Sequence, residues 1–315
     1  MAHMVEIIDG VAQMAYAGET PWHGLGHQVS NDLTPVEMMN ASGTNWEVRK
    51  EPAVVKIDGE YVNTGRSALL RSSDNYILDV ISDDWNPTQN ATAFEFFREY
   101  VEAGKMTMET AGSLDNGRNV WALAKIGSSF QAVKGDVTEG YLLFSNPHKY
   151  GRAITVKFTT VRVVCNNTLT WALDKGGSQS VSVHHGRVFN PEEVKTTLGI
   201  ASHQMHTMEE TAKFLVSKRY TPESLRQMIM EVFPSTADKT QLSRPAETVL
   251  SVMKTQPGAQ FGEGSYWQAL NAVTFSVDHL LGRKQETRLN SAWFGVNDNR
   301  KRLALKKAVE YAKAA

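Results

Sequence analysis

NPHKYGRAITVKFTTVRVVCNNTLTWALDKGGSQSVSVHHGR, residues 146–187, is the stretch whose reading decides the fold. From Arg152 to Cys165 its residues alternate and are rich in β-branched types. Ile154, Val156, Phe158, Thr160, Arg162 and Val164 fall on one parity, and Thr155, Lys157, Thr159, Val161 and Val163 on the other. Period-two alternation of Val, Ile, Thr and Phe predicts one long strand with two distinct faces. Asn166-Asn167-Thr168 reads as a turn and helix cap leading into Leu169 to Leu173, and Ser180 to Val183 as a further short strand.

The same stretch holds six basic residues, Lys149, Arg152, Lys157, Arg162, Lys175 and Arg187, against one acid, Asp174. It also carries Tyr150, Phe158 and Trp171, with His148, His184 and His185. Cations beside aromatics along a strand make a platform for a nucleic-acid backbone and its bases. The competing reading is an ordinary sheet strand whose charges sit in water.

Towards the N-terminus the pattern remains β. Trp46 to Ile57, Tyr61 to Ser72 and Tyr76 to Ser82 alternate or run apolar, and Asp58-Gly59 is a hairpin signal. Lys105 to Ser113, Arg118 to Ile126 and Tyr141 to Phe144 read likewise, with Asp115-Asn116-Gly117 as a turn. Between these runs, Ala91 to Ala103 places Phe94, Phe97, Tyr100 and Val101 on one helical face, with Gly104 as its C-terminal cap. The first 45 residues are loop-rich and include TPWHGLG, residues 20–26.

Beyond Pro191 the spacing turns helical. Helices are expected over Met205 to Tyr220, from the Thr221-Pro222-Glu223 start, over Pro245 to Lys254, over Tyr266 to Leu281, and over Arg300 to Lys313. The chain therefore reads as α+β: a β-rich part with an antiparallel sheet and a long hairpin over 1–187, then a helical region over 188–315, packed on the first as one body or separate from it.

At 315 residues the chain can bury a large core, and 41% hydrophobic with 21% charged residues is a globular composition. No apolar run of membrane-spanning length occurs, and the opening MAHMVEIIDG lacks the pattern of a secretion signal, so no membrane partner is expected. The one cysteine, Cys165, has no internal disulfide partner, which fits a reducing cytoplasm. The net charge of −1 conceals a gradient. Residues 1–140 carry 10 Lys and Arg against 20 Asp and Glu, whereas residues 283–315 carry 9 against 3. Such separation marks an acidic and an anion-binding part, or complementary faces within one fold or between subunits.

No phosphate-binding loop of the G-x-x-x-x-G-K-[ST] type occurs, nor G-x-G-x-x-G, nor H-E-x-x-H, so self-driven ATP hydrolysis is not expected. His184-His185 and His203-x-x-His206 are the only histidine clusters. Adjacent histidines on a strand face opposite ways, so no metal and no cofactor is expected. Cys165 before Asn166, and His23 after Trp22, are candidates for nucleophile and base. A small buried thiol and a turn-capping ring are the competing readings. In the C-terminal element, Arg300, Lys301 and Arg302 open the expected helix, where cations oppose its dipole. Phosphate or an acidic partner would stabilise them there.

Pro21-Trp22-His23-Gly24-Leu25-Gly26, Arg162-Val163-Val164-Cys165-Asn166-Asn167-Thr168-Leu169 and the later Phe294-Gly295 resemble the phage/plasmid-like family of unknown function. The resemblance spans most of the chain and implies a protein of a bacterial mobile element, in the host cytoplasm. At the level of architecture, a curved antiparallel sheet with a basic hairpin, packed by helices and without an NTPase motif, looks like the phage annealing proteins of the RecT, Erf and Rad types. That second resemblance implies ATP-independent pairing of single strands by a homo-oligomer, for recombination. Phosphates would lie on Lys149, Arg152, Lys157 and Arg162, with bases on Tyr150 and Phe158. Arg300, Lys301 and Arg302 are added from the C-terminal element as phosphate contacts.

The reading adopted is a single-stranded-DNA-binding, annealing protein without enzymatic activity, with a host or phage replication protein as a possible further partner. The alternative is a non-enzymatic interaction protein that binds a host factor. A third reading, an enzyme, would bring Trp22, His23, Cys165 and Asn166 around one site.

Overall fold

The computed structural model describes residues 4–18, 21, 24–162, 167–169, 180–185, 189–190, 192, 201–235, 240–282 and 288–315. The first strands, β1 (Ile7–Ile8) and β2 (Val11–Ala12), pair with each other, and β3 (Met14–Ala17) lies parallel to β4 (His27–Val29). After α1 (Pro35–Ala41), β5 (Val48–Ile57), β6 (Glu60–Arg71) and β7 (Ile77–Ser82) form a three-stranded antiparallel sheet. Then come α2 (Asn90–Glu95), α3 (Arg98–Glu102), β8 (Met106–Leu114), β9 (Asn119–Gln131), β10 (Val137–Pro147), β11 (Ala153–Arg162), β12 (Asn167–Leu169) and β13 (Ser180–His184). The large sheet has the order β12-β11-β10-β9-β8-β3-β4, and β13 also pairs with β11. The helices α4 (Ala201–Ser217), α5 (Pro222–Val232), α6 (Arg244–Val252), α7 (Tyr266–Phe275), α8 (Arg288–Phe294) and α9 (Val296–Ala314) follow, with a π-helical turn at Ser276–Leu280. The protein is α+β, β-rich in its N-terminal half with antiparallel sheets, and mostly helical after it.

The chain divides into two compact units that interleave along the sequence. The first comprises Met1–Gly127, Leu142–Lys157 and Ser180–Leu198. The second comprises Ser128–Tyr141, Phe158–Gln179 and Gly199–Ala315. In the first, Met14, Leu69, Trp121 and Phe144 are fully buried. In the second, Met208, Leu215, Met228, Ile229, Leu270, Val273 and Leu305 are buried, the inward stripes expected of helices that pack on one another.

Several local readings hold at residue level. Asp58 and Gly59 both take positive φ, +49° and +93°, between the paired residues Ile57 and Glu60. This is the two-residue turn that Asp-Gly favours. Thr221 caps α5, its hydroxyl accepting from the Ser224 backbone, with Pro222 in the first turn.

Others are corrected. The helix expected from Ala91 to Ala103 is two short helices broken at Phe96 and Phe97. Phe94, Phe96 and Phe97 are all buried, and one continuous helix would spread them over about 160° of its circumference, wider than the stripe a short helix usually buries. The break turns Phe96 and Phe97 towards Phe144, at ring separations of 5.7 and 6.1 Å. The segment read as a cap into a helix at Leu169 is instead strand β12, pairing Asn167 with Arg162. The last helix starts at Val296, four residues before Arg300, so the basic triplet does not occupy its first turn; Asp298 does. The long strand starts at Ala153 and is described to Arg162; residues 163–165, which the expected strand included, lie outside the described residues.

Candidate functional site

Between β10 and β11 the chain turns over Lys149-Tyr150-Gly151-Arg152. The Arg152 amide donates to the Lys149 carbonyl at 3.2 Å, and Gly151 takes φ +73°. A positive φ at the third position of a four-residue turn favours glycine, which is why this residue closes it. The turn is held from outside its own strands. The Tyr150 amide donates to Asp79 Oδ2 at 2.8 Å, and the preceding His148 amide to the Arg118 carbonyl at 2.8 Å. The Tyr150 ring, 50% exposed, has the Arg66 guanidinium 5.8 Å from its centre. Lys149 stands half exposed, 3.8 Å from Asp115, and Arg152 is exposed. Among the described residues neither Arg66 nor Arg152 forms an ion pair.

The other expected nucleic-acid contacts are placed differently. Lys157 is 5% and Phe158 2% exposed, so neither offers a surface to phosphate or base. From Lys157 to Thr160 both parities of β11 are buried, and the strand has no solvent face there. The Arg162 backbone pairs with Asn167, and its side chain is outside the described residues. Lys301 is buried, its ammonium 2.7 Å from Asp278. Arg302 pairs with Asp298 at 3.1 Å, and Arg300 bonds Asn297 and lies over the Phe233 ring. The three cations of the triplet thus have partners within the helical unit. Lys149, Tyr150 and Arg152 stay together on one turn of the first unit, joined by Arg66, which the sequence reading missed. The pattern signal for Arg66 was only its place beyond an Asn63-Thr64-Gly65 irregularity in a strand. Trp22, His23, Cys165 and Asn166 lie outside the described residues.

Directly beneath this turn in the chain lies a buried polar cluster. His148 and Asn146 are fully buried and His185 is 1% exposed. The Asn90 amide nitrogen donates to the carbonyls of Thr44 and Trp46, at 2.9 and 3.3 Å. Its oxygen accepts from Asn146 Nδ2 at 3.2 Å and meets His148 Nε2 at 2.9 Å. Asn146 Nδ2 also donates to the Thr88 carbonyl. The His185 ring stacks on Trp85, centroids 4.0 Å apart, with Nδ1 3.3 Å from the Asn86 carbonyl. Burial pushes the His148 ring down to about 3 and the His185 ring to about 4, and a charge on His185 further opposes one on His148. Both rings are therefore neutral at neutral pH. His148 Nδ1 and Asn146 Oδ1 are buried with no hydrogen-bond partner, and the His185 ring faces the Pro147 carbonyl as well as that of Asn86. Among the described residues no three His, Cys, Asp or Glu side chains gather into one cluster. The sequence showed His148 and His185 only as members of a basic stretch, because 37 residues separate them and β13 brings the second back beside β11.

No helix among the described residues is long and apolar enough to cross a membrane. No curated protein and no solved structure matches the chain. Residues 77–293 match the model described as a domain of unknown function, DUF932, a span that runs from the start of β7 into α8 and takes in both the Tyr150 turn and the buried histidines. The chain belongs to that family.

Proposed function

We propose that this is a single-stranded-DNA-binding protein of a phage or plasmid, working in the bacterial cytoplasm as a homo-oligomer and promoting ATP-independent strand annealing. The observation that carries the reading is the Tyr150 turn. It presents a half-exposed aromatic ring, braced by one guanidinium and flanked by two exposed cations, on a backbone fixed by hydrogen bonds to Asp79 and Arg118. An exposed ring among cations is what a stacked base and its phosphates require, and preorganisation lowers the entropy lost on binding. Asp79 and Asp115 keep the local charge moderate, so stacking would carry more of the affinity than phosphate contact.

The test is fluorescence anisotropy with a labelled single-stranded oligonucleotide from low to moderate salt. Tyr150→Ala is expected to weaken binding about tenfold or more, given about 1–3 kcal/mol per stacked base. Arg66→Glu with Arg152→Glu should weaken it further and flatten its salt dependence. Lys157→Glu is unsuitable as a probe, since it would place a charge in the core. Absence of binding by the wild-type chain at low salt overturns the proposal.

One observation favours the alternative, a protein that binds a host factor. Residues 54–65, the outer part of the β5–β6 hairpin, are exposed on both faces, and Val54, Val55, Ile57, Tyr61 and Val62 are 44–73% exposed. Exposed apolar residues grouped on one arm suit a protein partner. Capture of a single host protein by the wild type, lost in Tyr61→Ser with Ile57→Thr, supports that reading.

A further inference from the structure

The open face of the three-stranded sheet has a composition that the nucleic-acid reading does not use. Residues paired across neighbouring strands project to the same side, so the register sorts β5, β6 and β7 into two faces. One face carries Val48, Leu69, Arg71 and Ile81, all buried. The other runs from the Leu70–Ile77 pair through Ala68–Val80 and Ala53 to Val55–Val62 and Ile57. Along it Val55, Ile57, Val62, Ile77 and Val80 are 41–54% exposed. A solvated sheet face is ordinarily polar, whereas here an apolar residue stands in every cross-strand row. The charges that share the face are Arg49, Arg66, Glu51 and Glu60, two of each sign. No charge excess selects an acidic or a basic partner, and two copies of the face can meet without net repulsion.

The size of the face fits the same occupant. β6 is 12 residues long, so at about 3.4 Å per residue and about 4.8 Å between strands the face covers about 500 Å². Two copies brought together would cover about 1,000 Å², the lower end of a specific interface. We propose that this face is a homodimer interface, on which a second copy of the chain lays its own face as the second layer of a β-sandwich. The proposal gives the homo-oligomer of the reading above its contact and rests on that part of it alone. Tyr150 borders the face, its ring against Arg66, so a strand stacked on the ring and a second copy on the face exclude one another.

The experiment is sedimentation velocity of the full chain, free of nucleic acid, from low to high micromolar concentration. Expected is a species with the mass of two chains that grows with concentration. Val55→Glu and Val80→Glu each set a charge on the apolar face and should weaken dimerisation about tenfold or more. Both positions are exposed in the single chain, so both variants should keep the wild-type circular dichroism. Val54→Glu is the control: Val54 is 49% exposed on the same arm but on the opposite face, and the variant should dimerise as wild type. A wild-type chain that stays monomeric overturns the proposal. So does dimerisation that survives both Val55→Glu and Val80→Glu, or that Val54→Glu weakens equally. If one face variant fails to fold, the other decides. A monomer that still binds single strands overturns the interface and spares the stacking site, and a dimer that binds none does the reverse.

Discussion

Lys149 and Lys157 stand eight residues apart in one basic stretch, yet the fold uses them oppositely: Lys149 is half exposed and Lys157 is buried. The neutral histidines give this scale its prediction. The folded rings resist protonation down to about 3 and 4, whereas an unfolded chain takes up protons near 6.5. The unfolded state therefore binds more protons between these values. The contribution of the pair to stability is complete above about pH 6.5 and is lost as pH falls through the window below it. The urea midpoint should drop between pH 6.5 and 4, and His185→Phe should flatten that slope. Equal slopes in the two proteins would show that other groups govern the acid response. None of this was legible in the sequence, where a histidine carries no mark of burial and its hydrogen-bond partners lie 58 and 99 residues away.

Among the elements, those with local chemical punctuation were legible and those set by tertiary demand were not. Asp58-Gly59 specifies its own turn, and Thr221 with Pro222 specifies its own helix start, because the deciding groups sit within four residues. Thr221→Ala should accordingly cost about 1 kcal/mol, read as a lowered denaturation midpoint, since its hydroxyl satisfies the Ser224 amide. The break in the helix at Phe96 has no such marker. It follows from three phenylalanines that all find burial, two of them on Phe144. The early start of α9 was likewise hidden. Gly295 forms no side-chain cap, and the acidic first-turn residue, Asp298, is one charge among a run of cations. Moving that start shifts the triplet inward and supplies Arg302 with Asp298 one turn back, which removes the dipole argument for a phosphate there.

At the scale of the whole chain, the fold class followed from periodicity, but the grouping of segments did not. Residues 128–141 and 158–179 cluster with the helices rather than with the strands that precede them in sequence. Asp136 accepts from the Trp267 indole at 2.8 Å, and a Cβ on Gly140 would lie 2.8 Å from the Met205 sulfur, which would have to shift. A fragment of residues 188–315 should therefore lack cooperative thermal unfolding, measured by circular dichroism, while the full chain shows it. A cooperative transition in the isolated fragment would mean that the helices need neither segment. Of the residues singled out as nucleic-acid contacts, Lys149, Tyr150 and Arg152 are exposed whereas Lys157, Phe158 and Lys301 are buried: period-two counting assigns faces but not what covers them.

The outer β5–β6 hairpin has one more consequence. Its twelve residues, 54–65, are all exposed, and the Asp58-Gly59 tip joins two strands that pair with each other. Chain continuity there is dispensable to the core, so the tip is the natural port for grafting: an epitope, a fluorophore-bearing loop or a small guest domain inserted between Asp58 and Gly59 would ride on the molecule without entering its folding.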